Sequence, residues 1–156
     1  MSAATPTETP DFMQIHRNAV DGQWRVTIPA DWRFEERVEF FIQRGEDHLL
    51  VLPKKEKDRF IRWADTLPGA EREEAMEAWA ESSMRVKIDS AGRMTLPSDW
   101  AKAVGLDVKK TAVLAGGVIN FKVWAEARYD EVTAARTSKH ASMMSRFKNA
   151  TVGANG

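Results

Sequence analysis

The chain has no cysteine, which excludes disulfides, zinc-thiolate sites such as zinc fingers, and cysteine nucleophiles together. It has no excess of charge either: 23 Lys and Arg balance 23 Asp and Glu, whereas nucleic-acid-binding domains are usually basic overall. His16, His48 and His140 are dispersed without metal-ligand spacing, so no metal site is expected. No Gly-rich phosphate loop leads from a strand into a helix, and no nucleophile stands in readable relation to a base. An enzyme reading therefore has no positive support, and neither a cofactor nor a small-molecule substrate is expected. No apolar run reaches membrane-spanning length. The first residues, MSAATPTETPD, lack the basic start and apolar core of a signal peptide. A cytoplasmic location without a membrane partner is the expectation.

What is present is a repeat. DGQWRVTIPADW at 21–32 returns as DSAGRMTLPSDW at 89–100, with identity at Asp21/Asp89, Arg25/Arg93, Thr27/Thr95, Pro29/Pro97, Asp31/Asp99 and Trp32/Trp100. The interval from Asp21 to Asp89 is too long for a solenoid, and two copies are too few to stack one. The pattern suits a duplicated half-domain whose copies pack about a pseudo-two-fold axis. At 156 residues, with 43% hydrophobic and 29% charged, such a chain can bury a core without metal or disulfide staples. Its neutrality is also uneven. Arg85, Lys87, Arg93, Lys102, Lys109 and Lys110 outnumber Asp89, Asp99 and Asp107 around the second copy, while acids gather in AEREEAMEAWAES between the copies. A basic repeat face with an acidic helical face can still bind phosphate.

Five segments follow: a disordered leader at 1–11, a first repeat at 12–53, a helical connector at 54–82, a second repeat at 83–136 and a flexible tail at 137–156. In the tail only Met143, Met144 and Phe147 offer an apolar helical turn. Each repeat has one plan. A strand runs into the Asp turn (12–20; 83–88), a second leaves it (24–28; 93–96), and Pro29 or Pro97 stops sheet pairing for want of an N–H. Proline also suits the first turn of a helix. In copy two Trp100 and Val104 share a helical face, and Gly105 can end that helix in a left-handed conformation. Copy one is shorter here, so a single turn is expected. Two apolar strands close each copy (38–43 with 48–52; 111–115 with 118–124), joined by hairpin connections at Gly45 and at Gly116-Gly117. Apolar stripes then predict helices: Phe60, Trp63, Ala64 and Leu67, next Ala75, Met76, Trp79 and Ala80, and in copy two Ala125, Tyr129 and Val132. All three stripes are read as core. The fold class is mainly β with helices, α+β.

The repeated phrase places Asp, then Arg four residues on, across a turn. The Asp21 and Asp89 carboxylates suit a turn because they accept bonds from backbone N–H groups two residues on. Gly92 can take a positive φ there at no steric cost. Arg25 and Arg93 start the next strand, and a guanidinium at a hairpin tip can enter a DNA groove to bond guanine O6 and N7, or pair with phosphate. The alternative is a local Asp–Arg pair that only fixes the turn. Arg17 and Arg85 precede the aspartates by four positions, and Lys87 shares a strand face with Arg85, so these three are candidate DNA contacts beside a solvated-face alternative. Trp32 and Trp100 are expected to pack between the halves. Trp24, where copy two has glycine, either crowds its turn or stacks on a partner.

These residues give the chain a resemblance to the MraZ family of transcriptional regulators, within the SpoVT/AbrB-like group, over roughly 12–135. Asp89, Gly92, Arg93, Leu96 and Pro97 match the family phrase, as do Asp21, Arg25, Ile28 and Pro29; Phe12 and the ending VINFKVW resemble family features. The resemblance implies a duplicated, pseudo-two-fold swapped-hairpin barrel and assembly into a ring-shaped homo-oligomer. It also implies binding of double-stranded DNA through the two motifs, on a division and cell-wall operon, by a nucleoid-associated repressor. Two alternatives stand beside it: an antitoxin-like module whose tail wraps a toxin, and a ring-forming relative whose DNA binding has decayed.

Overall fold

A computed structural model describes residues 12–33 and 38–155, the last five by their backbone alone. The leader expected at 1–11 lies outside the described residues. The eight strands read from the sequence form in order: β1 (Ile15–Ala19), β2 (Arg25–Thr27), β3 (Glu39–Arg44), β4 (Leu49–Pro53), β5 (Ser83–Lys87), β6 (Arg93–Thr95), β7 (Thr111–Gly116) and β8 (Phe121–Ala125). Their β-branched and aromatic residues suit a pleated surface. Among the described residues four helices accompany them: α1 (Lys54–Ala64), α2 (Gly69–Ser82), α3 (Ser98–Ala103) and α4 (Glu126–Asn155). After Pro29 the described residues form a 3₁₀ turn, Ala30–Trp32, where a single turn is expected for the shorter copy.

The pairing joins the two copies. Six strands form one antiparallel sheet in the order β1-β7-β8-β4-β3-β5, and β2 pairs with β6 as a separate ribbon. Exchanging the copies, β1 for β5, β2 for β6, β3 for β7 and β4 for β8, returns the same order read backwards. The first strand of each copy thus pairs with the third strand of the other: Arg17 stands opposite Val113, and Arg85 opposite Phe41. The strands flanking each Asp turn, expected as a hairpin, meet beside the turn through Asp21 N–H to Arg25 C=O, Asp89 N–H to Arg93 C=O and an Ile88–Met94 bridge. Among the described residues they do not extend into a ladder. The short segments after the turns find their apolar partners across the ribbon instead, where Val26 faces Met94.

One face of the six-stranded sheet and the ribbon enclose the main core. Phe40, Ile42, Leu49, Val51, Ala112, Leu114, Phe121 and Val123 come from the sheet, and Val26, Ile28, Met94 and Leu96 from the ribbon and its ends. Trp32 lies inside this core, 1% exposed, its ring 4.9 Å from Phe121 and 5.6 Å from Phe12. Trp32 therefore packs between the halves as expected, while Trp100 is half-buried at the rim. On the opposite face, Val113, Trp124 and Tyr129 form a smaller cluster under α4.

The helical stripes are less buried than their periodicity suggests. Of the α1 stripe only Ala64 is buried, and Trp63 is 54% exposed. No residue of α2 is buried. The two helices close on each other and on the outer sheet face through aromatic contacts, with Phe60 4.9 Å and Phe41 5.9 Å from Trp79. At the other end, the segment expected as a flexible tail continues α4 as helix to Asn155. Its Ala, Met, Lys and Arg content favours helix without amphipathic periodicity, which is why a stripe search misses it.

Candidate nucleic-acid interface

The two Asp turns repeat each other bond for bond. Asp21 Oδ1 accepts from the backbone N–H of Gln23 and Arg25, each at 2.9 Å, and Oδ2 accepts from Arg25 Nε at 2.7 Å. Asp89 Oδ1 accepts from the N–H of Ala91 and Arg93 at 2.9 and 2.8 Å, and Oδ2 from Arg93 Nε at 3.0 Å. In the backbone, Trp24 N–H donates to Asp21 C=O and Gly92 N–H to Asp89 C=O. Each turn also reaches the other copy: Leu96 N–H donates to Trp24 C=O at 2.7 Å, and Ile28 N–H to Gly92 C=O at 2.9 Å. The backbone N–H of Arg25, with those of Gln23 and the guanidinium adding to it, holds the Asp21 carboxyl below its ordinary pKa. Asp89 is lowered in the same way, first by the Arg93 N–H. Hydrogen bonds to the ionised form dominate here.

This geometry combines the two readings of the arginines. Each guanidinium is tied by Nε to its own aspartate, yet neither Nη atom of Arg25 or Arg93 makes a hydrogen bond among the described residues. The aspartate fixes the direction of the fork, and the Nη pair remains for a bidentate acceptor. The antiparallel register sets Arg25 opposite Thr95 and Thr27 opposite Arg93. With Val26 and Met94 buried, the alternating arginines and threonines occupy the outer side of the ribbon.

Trp24 does not disrupt its turn. It takes φ 63°, in the left-handed region, as Gly92 does at 81°, and its half-buried indole packs against the main core.

The remaining sequence candidates are not gathered with the turns. Arg17 lies on the α4 face of the sheet, donating through Nη1 to Glu126 at 2.8 Å and through Nη2 to Asp130 at 3.1 Å, above the Tyr129 ring. Those two carboxylates raise its pKa. Arg85 lies over the Phe41 ring, with Glu39 at 3.4 Å, and Lys87 pairs in register with Glu39. Face periodicity joined Arg85 to Lys87 correctly, but the cross-copy pairing turns their face away from the ribbon.

Two further cations adjoin the turns: Lys102, from the basic run around the second copy, and Arg33, which no local pattern marks. The Lys102 ammonium stands 5.7 Å over the Trp24 ring. The Arg33 guanidinium lies directly on Gly92, where a Cβ would overlap Nη1 and Cζ.

Among the described residues no helix is long and apolar enough to cross a membrane. The MraZ protein family model, described as antitoxin-like, matches residues 81–151. Curated relatives extend the likeness to both copies. A protein of Oenococcus oeni called transcriptional regulator MraZ is 28% identical over 126 residues, 79% of this chain and 87% of its own length. Its namesake in Moorella thermoacetica is 27% identical over 123 residues, 77% of this chain and 85% of its own. The one in Halothermothrix orenii is 25% identical over 138 residues, 80% of this chain and 95% of its own. Through its second copy, by the family model, and across about four fifths of its length, by these relatives, the chain is similar to the MraZ family.

Proposed function

We propose that the chain is a sequence-specific, DNA-binding transcriptional regulator and not an enzyme. The observation that carries this reading is the pair of matched turns, each holding an arginine by Nε and leaving its Nη fork outward on one ribbon. Arg25 and Arg93 are the base-contacting residues; Asp21, Asp89 and Gly92 shape the turns that aim them. Arg17, Arg85 and Lys87 lie on the other face of the sheet, so their contact with DNA requires a second duplex segment or a neighbouring protomer. The cross-pairing of the copies supports a SpoVT/AbrB-like swapped-hairpin barrel. Repression of a division and cell-wall gene cluster, in the cytoplasm at the nucleoid, completes the reading.

The active form is a ring-shaped homo-oligomer. Among the described residues the sheet ends in two open strands, β1 and β5, with Met13, Ile15, Val38 and Met84 exposed nearby. Related edges at both ends of a protomer permit contacts that close into a ring. Light scattering in moderate salt should give a mass several times 17.6 kDa. A monomer throughout the micromolar range would remove the ring. A gel shift with duplex from immediately upstream of the chain's own coding sequence tests the binding itself, and absence of a shift would favour a relative whose DNA binding has decayed.

A second reading, an antitoxin-like module, draws on α4, where Met143 and Met144 are 56% and 53% exposed. Co-purification of a small protein lost on truncation after Arg136 would favour it.

A further inference from the structure

The Asp–Arg pairs at the turns are each neutral as units. They can orient a fork toward a base, but they add no net charge to hold a polyanion. Attraction to the phosphate backbone has to come from other cations close by.

Arg33 meets that need at the second turn. It follows Trp32, which is 1% exposed and fixes the start of its side chain in the core. The guanidinium reaches from copy one across to copy two and covers Gly92. Gly92 is buried as a result, while Ser90 and Ala91 in the same turn are exposed. Arg33 Nε is itself buried and makes no hydrogen bond, and no carboxylate pairs with the side chain among the described residues. The Nη atoms of Arg33 likewise make no hydrogen bond among the described residues, which leaves them for an anion on the outer side. Lys102 plays the related part at the first turn, reaching from copy two to lie over Trp24. There the indole fills the space that Gly92 leaves open, so the ammonium rests on a ring rather than on the turn.

We infer that Arg33 is a DNA-phosphate anchor for the second turn, so that Arg93 reads a base while Arg33, from the other copy, holds the adjoining backbone. The inference rests on the DNA-binding reading above. It makes the second turn the stronger of the two contacts and gives Gly92 a second role, as the opening through which Arg33 docks. It also accounts for binding by a neutral chain, because the excess charge is local to the turns.

The experiment measures affinity against salt for two duplexes of equal length, the upstream sequence and a shuffled version. R33Q removes the charge and keeps a planar polar end; R33K keeps the charge. A phosphate contact carries no sequence information. R33Q should therefore weaken both duplexes by one factor, on the order of 3–10-fold, and reduce the salt slope by about 1. R33K should restore the slope. R93A should instead lower the preference for upstream over shuffled DNA. If R33Q leaves affinity and slope unchanged, or if both variants only lower the melting temperature, Arg33 is packing and the inference fails alone. If the natural protein binds neither duplex, the DNA-binding reading itself fails, and this inference with it.

Discussion

Trp24 and Gly92 occupy the same left-handed position in the two turns, at φ 63° and 81°, although one is the largest side chain and the other has none. The conformation is set by the aspartate, whose carboxylate collects the N–H groups around it, so the residue at this position must comply. For a side-chain-bearing residue this costs about 1–2 kcal/mol, which in Trp24 is offset by burial of indole against the core.

Removing that indole separates the two contributions. Trp24→Gly should relieve the backbone and lose the packing, leaving stability within about 1 kcal/mol of the natural protein. Gly92→Ala should lose about 1–2 kcal/mol, because it introduces the backbone penalty and pushes Arg33 aside. Urea unfolding measures both, and equal losses in the two variants would mean the left-handed position carries no cost here.

The arginines should act on DNA and not on the fold. Arg93→Ala should weaken specific binding by about 1–3 kcal/mol per site. Arg25→Ala should fall in the same range, since its turn is hydrogen-bonded like the other. Affinity titrations on upstream and shuffled duplexes, run beside thermal melts, test this. Unfolding of Arg93→Ala with binding intact would reduce the pair to a turn-fixing device.

Acid should reach the turns late. Asp21 and Asp89 are held below their ordinary value of 3.8 by backbone N–H groups. Their contribution is therefore full above pH 3.8 and is lost as pH falls from there through the lowered folded value. Stability curves of the natural protein and an Asp21→Asn, Asp89→Asn double variant should run parallel from pH 7 to about 5. Below pH 3.8 they should converge. Convergence already at pH 6 would place the acid-sensitive groups elsewhere.

Ring assembly predicts the layout of the DNA site. One turn covers few base pairs, so affinity must come from several protomers on one duplex, a linkage that adds about 10²–10⁴-fold where spacing permits. Neighbours related head to tail present their ribbons in one direction, which calls for direct repeats about one helical turn, roughly 10 base pairs, apart. Inserting five base pairs between repeats should abolish most of that gain. Undiminished affinity would mean independent sites.

The sequence disclosed the elements better than their partners. Alternation, proline stops and the doubled phrase located all eight strands, because those signals are local. The cross-copy ladders depend on contacts far apart in the chain, such as Arg17 with Val113 and Phe41 with Arg85, which no periodicity records. The Asp–Arg turns were legible for the same local reason. Arg33 was not, since its neighbour in space is Gly92. The exposed Trp63 and the helical course of 137–155 mark the limit of reading burial from apolar spacing.

The exchange of strands between copies also governs the order in which the protein can be made. Of the ladders formed by the described residues, only β3–β4 and β7–β8 lie within one copy. When the first copy leaves the ribosome, β1 and β2 have no partner yet, and β3 and β4 each keep one open side. The α1–α2 hairpin can form early because its contacts are local, but the core must wait for residues up to Ala125. A nascent chain interrupted inside the second copy is thus left with open strand edges, which seek partners in other chains. Two half-chains supplied together, in contrast, hold every strand the fold requires.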